Sequence, residues 1–232
     1  MGDKRPSHGF HFYGRRHGRK LRPRQAEYLK RVLAEYAIAP PAKNQPIDLA
    51  SLFAPSPRQL YLEIGFGGGE HLAAIAGATP EAGFIGAEPF INGVASIGRH
   101  IAEAGLENIR VWADDVRLLL PMVPEASLDG VYVLFPDPWP KTRHRPRRII
   151  QPTMLDRLAA CIKKGGFLLL ASDDATAKSW LLEVTCQHRQ FAWQAKTADD
   201  WRLPPDGTPP TRYMQKASRH GRTPSWFLFL RV

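Results

Sequence analysis

Cysteine is scarce in this chain: only Cys161 and Cys186 occur, both in segments with helical periodicity, without CxxC spacing and without a histidine at metal-ligand spacing. That argues against a structural disulfide or a zinc site, and no metal is expected. Both cysteines read as small buried hydrophobes in a reducing compartment. Long apolar runs are missing too, since none approaches the ~18 residues that a membrane span needs. The Arg15-Arg16 pair has no apolar segment behind it of the kind an export signal carries. A cytoplasmic protein without membrane association is expected. Carboxylates are missing from one stretch in particular, Lys141 to Arg148, which holds five Lys/Arg and no acid.

What is present starts with that charge. The chain of 232 residues has a formal net charge of +10. Met1 to Arg31 holds ten Lys/Arg against Asp3 and Glu27, a net of +8, and the five cations of Lys141 to Arg148 leave everything else at −3. Basic clusters on a near-neutral body point to a polyanion, because each phosphate neutralised releases counterions. A solvated basic tail is the alternative reading.

With 44% hydrophobic content the chain can bury one ordinary core, and nothing in it asks for an obligate protein partner. Residues 1–23 are rich in Gly, His, Arg and Lys without periodicity and read as a basic flexible arm. Residues 24–58 read as a helix followed by a Pro-rich linker; the helix runs from Arg24 to about Ile38, with Tyr28, Leu29, Val32, Leu33 and Tyr36 on one face. Residues 59–232 form the main domain. Strands are predicted at Leu60 to Ile64, Phe84 to Ala87, Ile109 to Trp112, Leu128 to Phe135 and Phe167 to Ala171, with helix-period segments between them. Such alternation argues for an α/β fold with a parallel, doubly wound sheet, because parallel strands need crossovers. Phe191 to Lys196 and Trp226 to Val232 read as two more strands, joined by a long loop without a helix, so that at least one pairs antiparallel.

Ligands of a doubly wound sheet sit outside the carboxyl ends of its strands. Reading each strand to its end gives Glu63, Glu88, Asp115, Asp137 and Asp173 in turn. A lone acid there is usually a turn former or helix cap, but five in succession ask for another account. The segment Glu63-Ile-Gly65-Phe-Gly67-Gly-Gly69-Glu70 follows the first strand and opens a helix, where glycines permit a tight turn and close approach of a ligand. A dinucleotide fingerprint starting at Gly65 would need glycine at position 70; Glu70 stands there instead, an unwelcome neighbour for a pyrophosphate at a helix N-terminus. A cationic ligand without phosphate suits this loop better. S-adenosylmethionine is such a ligand, and Glu88, 19 residues past Gly69, stands where an acid accepts ribose hydroxyls. Here the sequence resembles the class I methyltransferases, which implies a mostly parallel seven-stranded sheet with one antiparallel strand near the C-terminus.

A more specific set of motifs follows: Glu63-Ile-Gly-Phe-Gly-Gly-Gly, Phe84-Ile-Gly-Ala-Glu88, Phe135-Pro-Asp-Pro-Trp-Pro-Lys141 and Arg143-His-Arg-Pro-Arg-Arg148. It closely resembles the bacterial tRNA (guanine-N7-)-methyltransferase family, from roughly Gly14 to the C-terminus. The resemblance implies that Glu63, Glu88, Asp115 and Asp137 contact the methyl donor together with Gly65, Gly67 and Gly69, that Asp137 also sits at the reaction centre, and that Lys141 and Asp173 contact the substrate. It implies that Arg143, Arg145, Arg147 and Arg148 hold tRNA, and that the modified guanine lies in the variable loop. The family's late substrate loop reads Thr, a basic residue, an aromatic, then Glu; here it reads Thr211-Arg212-Tyr213-Met214, with Gln215 beside it as a neutral substitute.

The chemistry is consistent on its own terms. Guanine N7 is already a lone-pair acceptor, so no strong general base is required, and the sequence shows no Ser/His/Asp triad or activated cysteine. Positioning and electrostatics then carry catalysis, with a carboxylate at Asp137 stabilising the positive charge that methylation places on the purine. Pro136 and Pro138 fix backbone dihedrals around it. Trp139 reads either as a platform for a base or as core packing. Competing readings are an RNA adenine amino methyltransferase, since Asp-Pro-Trp resembles the D-P-P-W type motif, and a non-catalytic RNA-binding protein on a methyltransferase scaffold. A dehydrogenase is disfavoured by Glu70.

Overall fold

Each apolar run predicted as a strand contributes one to the structure, a computed structural model that describes residues 12–41, 45–209, 214, 217 and 219–232. The strands are β1 (Gln59–Ile64), β2 (Ala82–Ala87), β3 (Ile109–Trp112), β4 (Leu128–Leu134), β5 (Ile162–Ser172), β6 (Phe191–Trp193) and β7 (Ser225–Arg231). They form one sheet in the order β3-β2-β1-β4-β5-β7-β6. Strands β1 to β5 pair in parallel, while β7 runs antiparallel to both β5 and β6. The order reverses between β1 and β4, which opens a crevice at their carboxyl ends.

The helices are α1 (Pro23–Arg31), α2 (Glu70–Ala78), α3 (Ile91–Ala104), α4 (Val116–Leu119), α5 (Pro152–Cys161), α6 (Ala175–Cys186) and α7 (Asp199–Arg202). Side chains alternate across a strand, so Phe84 and Ile85 of β2 fall into different apolar clusters. Phe84 packs with Leu72, Val94, Ile97 and Ile101 of α2 and α3, and with Val32 after α1. Ile85 belongs to the cluster holding Leu119, Leu155, Leu158 and Leu181 of α4, α5 and α6. Ile47, Leu49 and Phe53, from the stretch ahead of β1, are buried in that second cluster.

Several expectations need correction. The first helix stops being α-helical at Arg31 and winds wider over Val32–Tyr36. Leu33 therefore leaves the predicted face and is 47% exposed. Ile38 lies beyond the helix, where its N–H donates to the Val111 carbonyl at 2.9 Å. Cys186 is exposed rather than buried, because it ends α6 on the side away from Leu181 and Val184. Cys161 is buried as expected, and burial pushes its thiol up to about 11. The β6–β7 connection carries the short helix α7, nucleated by Asp200, whose carboxylate accepts the N–H groups of Lys196 and Thr197.

Candidate active site

Of the acids at the strand ends, Glu63 and Asp137 lie close enough to Glu88 to act on it electrostatically. In β1, Leu62 and Ile64 face the second cluster, so period-two alternation turns Glu63 to the opposite face, the side on which α2 lies. The loop from Gly65 to Gly69 then climbs over the sheet edge. Its glycines at 65, 67 and 69 have φ of +72°, +57° and +83°, a region that side chains disfavour. The loop is clamped from below, because a Cβ on Gly93 of α3 would lie 2.3 Å from the Gly67 carbonyl oxygen.

Glu88, one residue past β2, is buried. Its carboxylate accepts the Gly67 N–H at 2.8 Å and the Phe90 N–H at 2.9 Å, which ties the glycine loop to the start of α3. Burial holds its proton affinity above the ordinary glutamate value; the two backbone N–H groups oppose that shift, and the nearby charges of Asp137 and Glu63 add to it. Glu88 thus feels one acid from β1 and one from the loop after β4.

Asp137 is exposed, in the loop that leaves β4. Two non-glycine residues around it have positive φ, Phe135 at +53° and Trp139 at +42°. Such conformations cost roughly 1–3 kcal/mol each and persist only where the surroundings over-determine them. Here Phe135 donates its N–H to Ala171 at 2.8 Å, and the Trp139 carbonyl accepts from Arg148 Nη2 at 3.1 Å. Trp139 is half-buried outside the apolar clusters, with Arg147 over its ring at 5.1 Å and Tyr13 edge-on at 6.3 Å.

The remaining candidates are placed less uniformly. Asp115 is buried as the N-cap of α4, accepts the Arg117 N–H and pairs with that guanidinium at 2.6 Å. Asp173 pairs with Arg222 at 3.2 Å. Lys141, Arg143 and Arg145 are exposed and Arg147 half-buried, on a 3₁₀ turn from Thr142 to Arg147 that precedes α5 instead of opening it. Arg148 is turned inward, 8% exposed, with its guanidinium over the Trp180 ring at 5.0 Å. Thr211, Arg212, Tyr213 and Gln215 lie outside the described residues. Met214 packs against the apolar cluster of Leu134, Leu169 and Trp226 that also supports Phe135.

Further neighbours of the crevice belong to no motif that the sequence marks. His71 of α2 sits 2.7 Å from Glu63. Arg16 pairs with Asp114 at 2.6 Å, its carbonyl accepts the Ile91 N–H, and Asn92 holds both Gly18 and Arg19, so the segment before α1 lies over the start of α3. Trp180 receives Arg145 as well as Arg148. The Arg-rich arm gave a hint of charge but none of its landing site.

Comparison with known proteins agrees with this architecture. A family described as "Putative methyltransferase" matches residues 57–226. The tRNA (guanine-N(7)-)-methyltransferase of Rhodospirillum rubrum is 44% identical over 230 residues, covering 98% of this chain and 90% of the relative. That of Mesorhizobium japonicum is 45% identical over 220 residues, covering 95% and 94%. Among solved structures, the 16S rRNA methyltransferase KamB superposes with a TM-score of 0.55 at 15% identity, over 76% of this chain and 89% of that one, a likeness of fold.

Proposed function

The chain belongs to the tRNA (guanine-N(7)-)-methyltransferase family, and from that membership we propose how its rim of acids divides the work of methylating N7 of a tRNA guanine. S-adenosylmethionine supplies an electrophilic methyl group carried on a sulfonium. The residues present fit that donor: the glycine loop leaves open space above Gly65, where an added Cβ would meet nothing within 4 Å, and two carboxylates suited to a cation, Glu63 and Glu70, line the cleft beside it. Glu63 would hold the ammonium end and Glu88 the ribose hydroxyls, with Gly65, Gly67 and Gly69 passing beneath and Asp115 bordering the site from β3.

Asp137 is the proposed catalytic residue, and it also contacts the donor. N7 carries a lone pair, so no side chain has to remove a proton before attack. The task left is to orient the purine and to stabilise the charge it gains. The observation that carries this reading is the strained Phe135–Trp139 loop, which holds an exposed carboxylate near enough to Glu88 to act on it electrostatically. Lys141, Asp173 and the loop of Thr211, Arg212 and Tyr213 would hold the nucleotide, with Met214 contributing packing where a carboxylate is usual. Arg143, Arg145 and Arg147 would meet phosphates, while Arg148 braces the loop from inside. The target guanine is proposed to lie in the variable loop, and the protein to work in the cytoplasm.

A tRNA transcript made with 7-deazaguanine tests the reading. Methyl transfer to the ordinary transcript and none to the substituted one is expected. Transfer that persists would mean that another atom, such as an adenine amino group, is the acceptor.

A further inference from the structure

We propose that His71 is a positioning residue for the methyl donor: its Nδ1–H holds one oxygen of Glu63 and leaves the other to receive the donor's α-ammonium group. This rests on the reading of Glu63 as a donor-binding acid. His71 and Glu63 are 5% and 3% exposed, and Nδ1 lies 2.7 Å from Oε2. A carboxylate only accepts, so Nδ1 carries the shared proton.

The histidine ring is itself held on two sides. It starts from the first turn of α2, directly after the glycine loop, and meets Tyr132 of β4 edge-on with ring centroids 5.1 Å apart. Tyr132 is the register neighbour of Glu63 and is braced in turn by Phe167 at 5.1 Å. Burial chiefly, with the charges of Tyr61 and Glu63 behind it, raises the tyrosine's pKa, which keeps its hydroxyl neutral. Both Glu63 and His71 line a cleft with Gly65, Phe66 and Phe135.

The choice of histidine follows from what the acid must do. A buried carboxylate without a donor is costly and free to turn away. A lysine or arginine in its place would neutralise the acid and repel an incoming ammonium. An imidazole donates one hydrogen bond from Nδ1 and fixes the rotamer, and unlike those cations it can do so in a neutral form that leaves the negative charge for the ligand.

The test is calorimetry on the ligand-free protein with two ligands, S-adenosylhomocysteine and 5′-methylthioadenosine, the second of which keeps adenine, ribose and thioether but lacks the amino-acid end. His71→Phe is expected to weaken S-adenosylhomocysteine at least about tenfold, the scale of a lost hydrogen bond to a charged group, while leaving 5′-methylthioadenosine within about twofold. His71→Asn, whose amide nitrogen occupies the place of Nδ1, should restore binding to within about threefold. Should the Phe protein fail to fold, His71→Gln, whose amide falls in the wrong place, serves in the same comparison. Equal losses for both ligands, or no loss for either, overturn the proposal. Glu63→Gln separates it from its premise: if that variant binds S-adenosylhomocysteine as well as the parent, the donor-site reading itself has failed.

Discussion

At the scale of single residues, chemistry and stability pull in opposite directions. Glu88 is kept in a buried position where its charged form is disfavoured, although the ribose recognition proposed for it needs that form. Its pKa is raised by folding, so its contribution to stability is fully present below the ordinary glutamate value and is lost as pH rises through the raised one. Donor binding runs the other way. As pH is lowered, affinity for S-adenosylhomocysteine should begin to fall before ~4.3, the ordinary glutamate value, is reached; affinity that stays flat down to that pH counts against the assignment. The five acids were legible because each ends an apolar run. His71 was not, since a histidine beside a glutamate in a helix has no signature until Glu63 is known to turn toward it. Arg148 was hidden for a similar reason. In Arg143-His-Arg-Pro-Arg-Arg148 all the arginines look alike, and what sets apart the one that turns inward is its hydrogen bond to the Trp139 carbonyl, since Trp180 receives Arg145 as well.

At the scale of elements, the site depends on how closely α3 approaches the glycine loop. Gly93 presses on the Gly67 carbonyl, and Gly98 lies against Val32 and the Tyr28 carbonyl after and within α1. A methyl group at position 93 would meet the Gly67 backbone and, at 3.2 Å, the Glu88 side chain. Gly93→Ala is therefore expected to weaken donor binding by tenfold or more, on the order of the 1–3 kcal/mol that overpacking costs, with a smaller loss for tRNA; calorimetry with each ligand checks this, and an unchanged donor affinity would show that the loop is not held from below. Strands were easier to read than helix ends, because a strand is an apolar run bounded by turn residues. The widening of the helix at Val32–Tyr36 is followed by a contact made across the fold, of Ile38 with Val111, which has no local signal, while α7 rests on the local bonds of Asp200 to the Lys196 and Thr197 N–H groups, which apolar periodicity does not reveal.

At the scale of the whole molecule, a net charge of +10 is concentrated in two stretches, while the crevice between them is lined with acids. The described part of the first stretch is tied to the body near Asn92 and Asp114, and the second flanks Asp137. On the proposed reading, a cationic donor is drawn to the acids and RNA phosphates to the surrounding arginines. Replacing Arg143, Arg145 and Arg147 by Ala should weaken tRNA binding and flatten its dependence on log salt by roughly 0.7–0.9 per lost phosphate contact. Arg148→Ala should leave that slope unaltered and lower thermal stability instead; a slope unmoved by the triple change would locate the RNA elsewhere. The most direct test of the account is the single-turnover rate of Asp137→Ala with donor and tRNA both saturating, measured beside its tRNA affinity. A rate lower by about a hundredfold or more, the range typical of a lost electrostatic stabiliser, with tRNA affinity nearly unchanged, is the predicted result. Equal losses in rate and affinity, or a rate that survives, would contradict it.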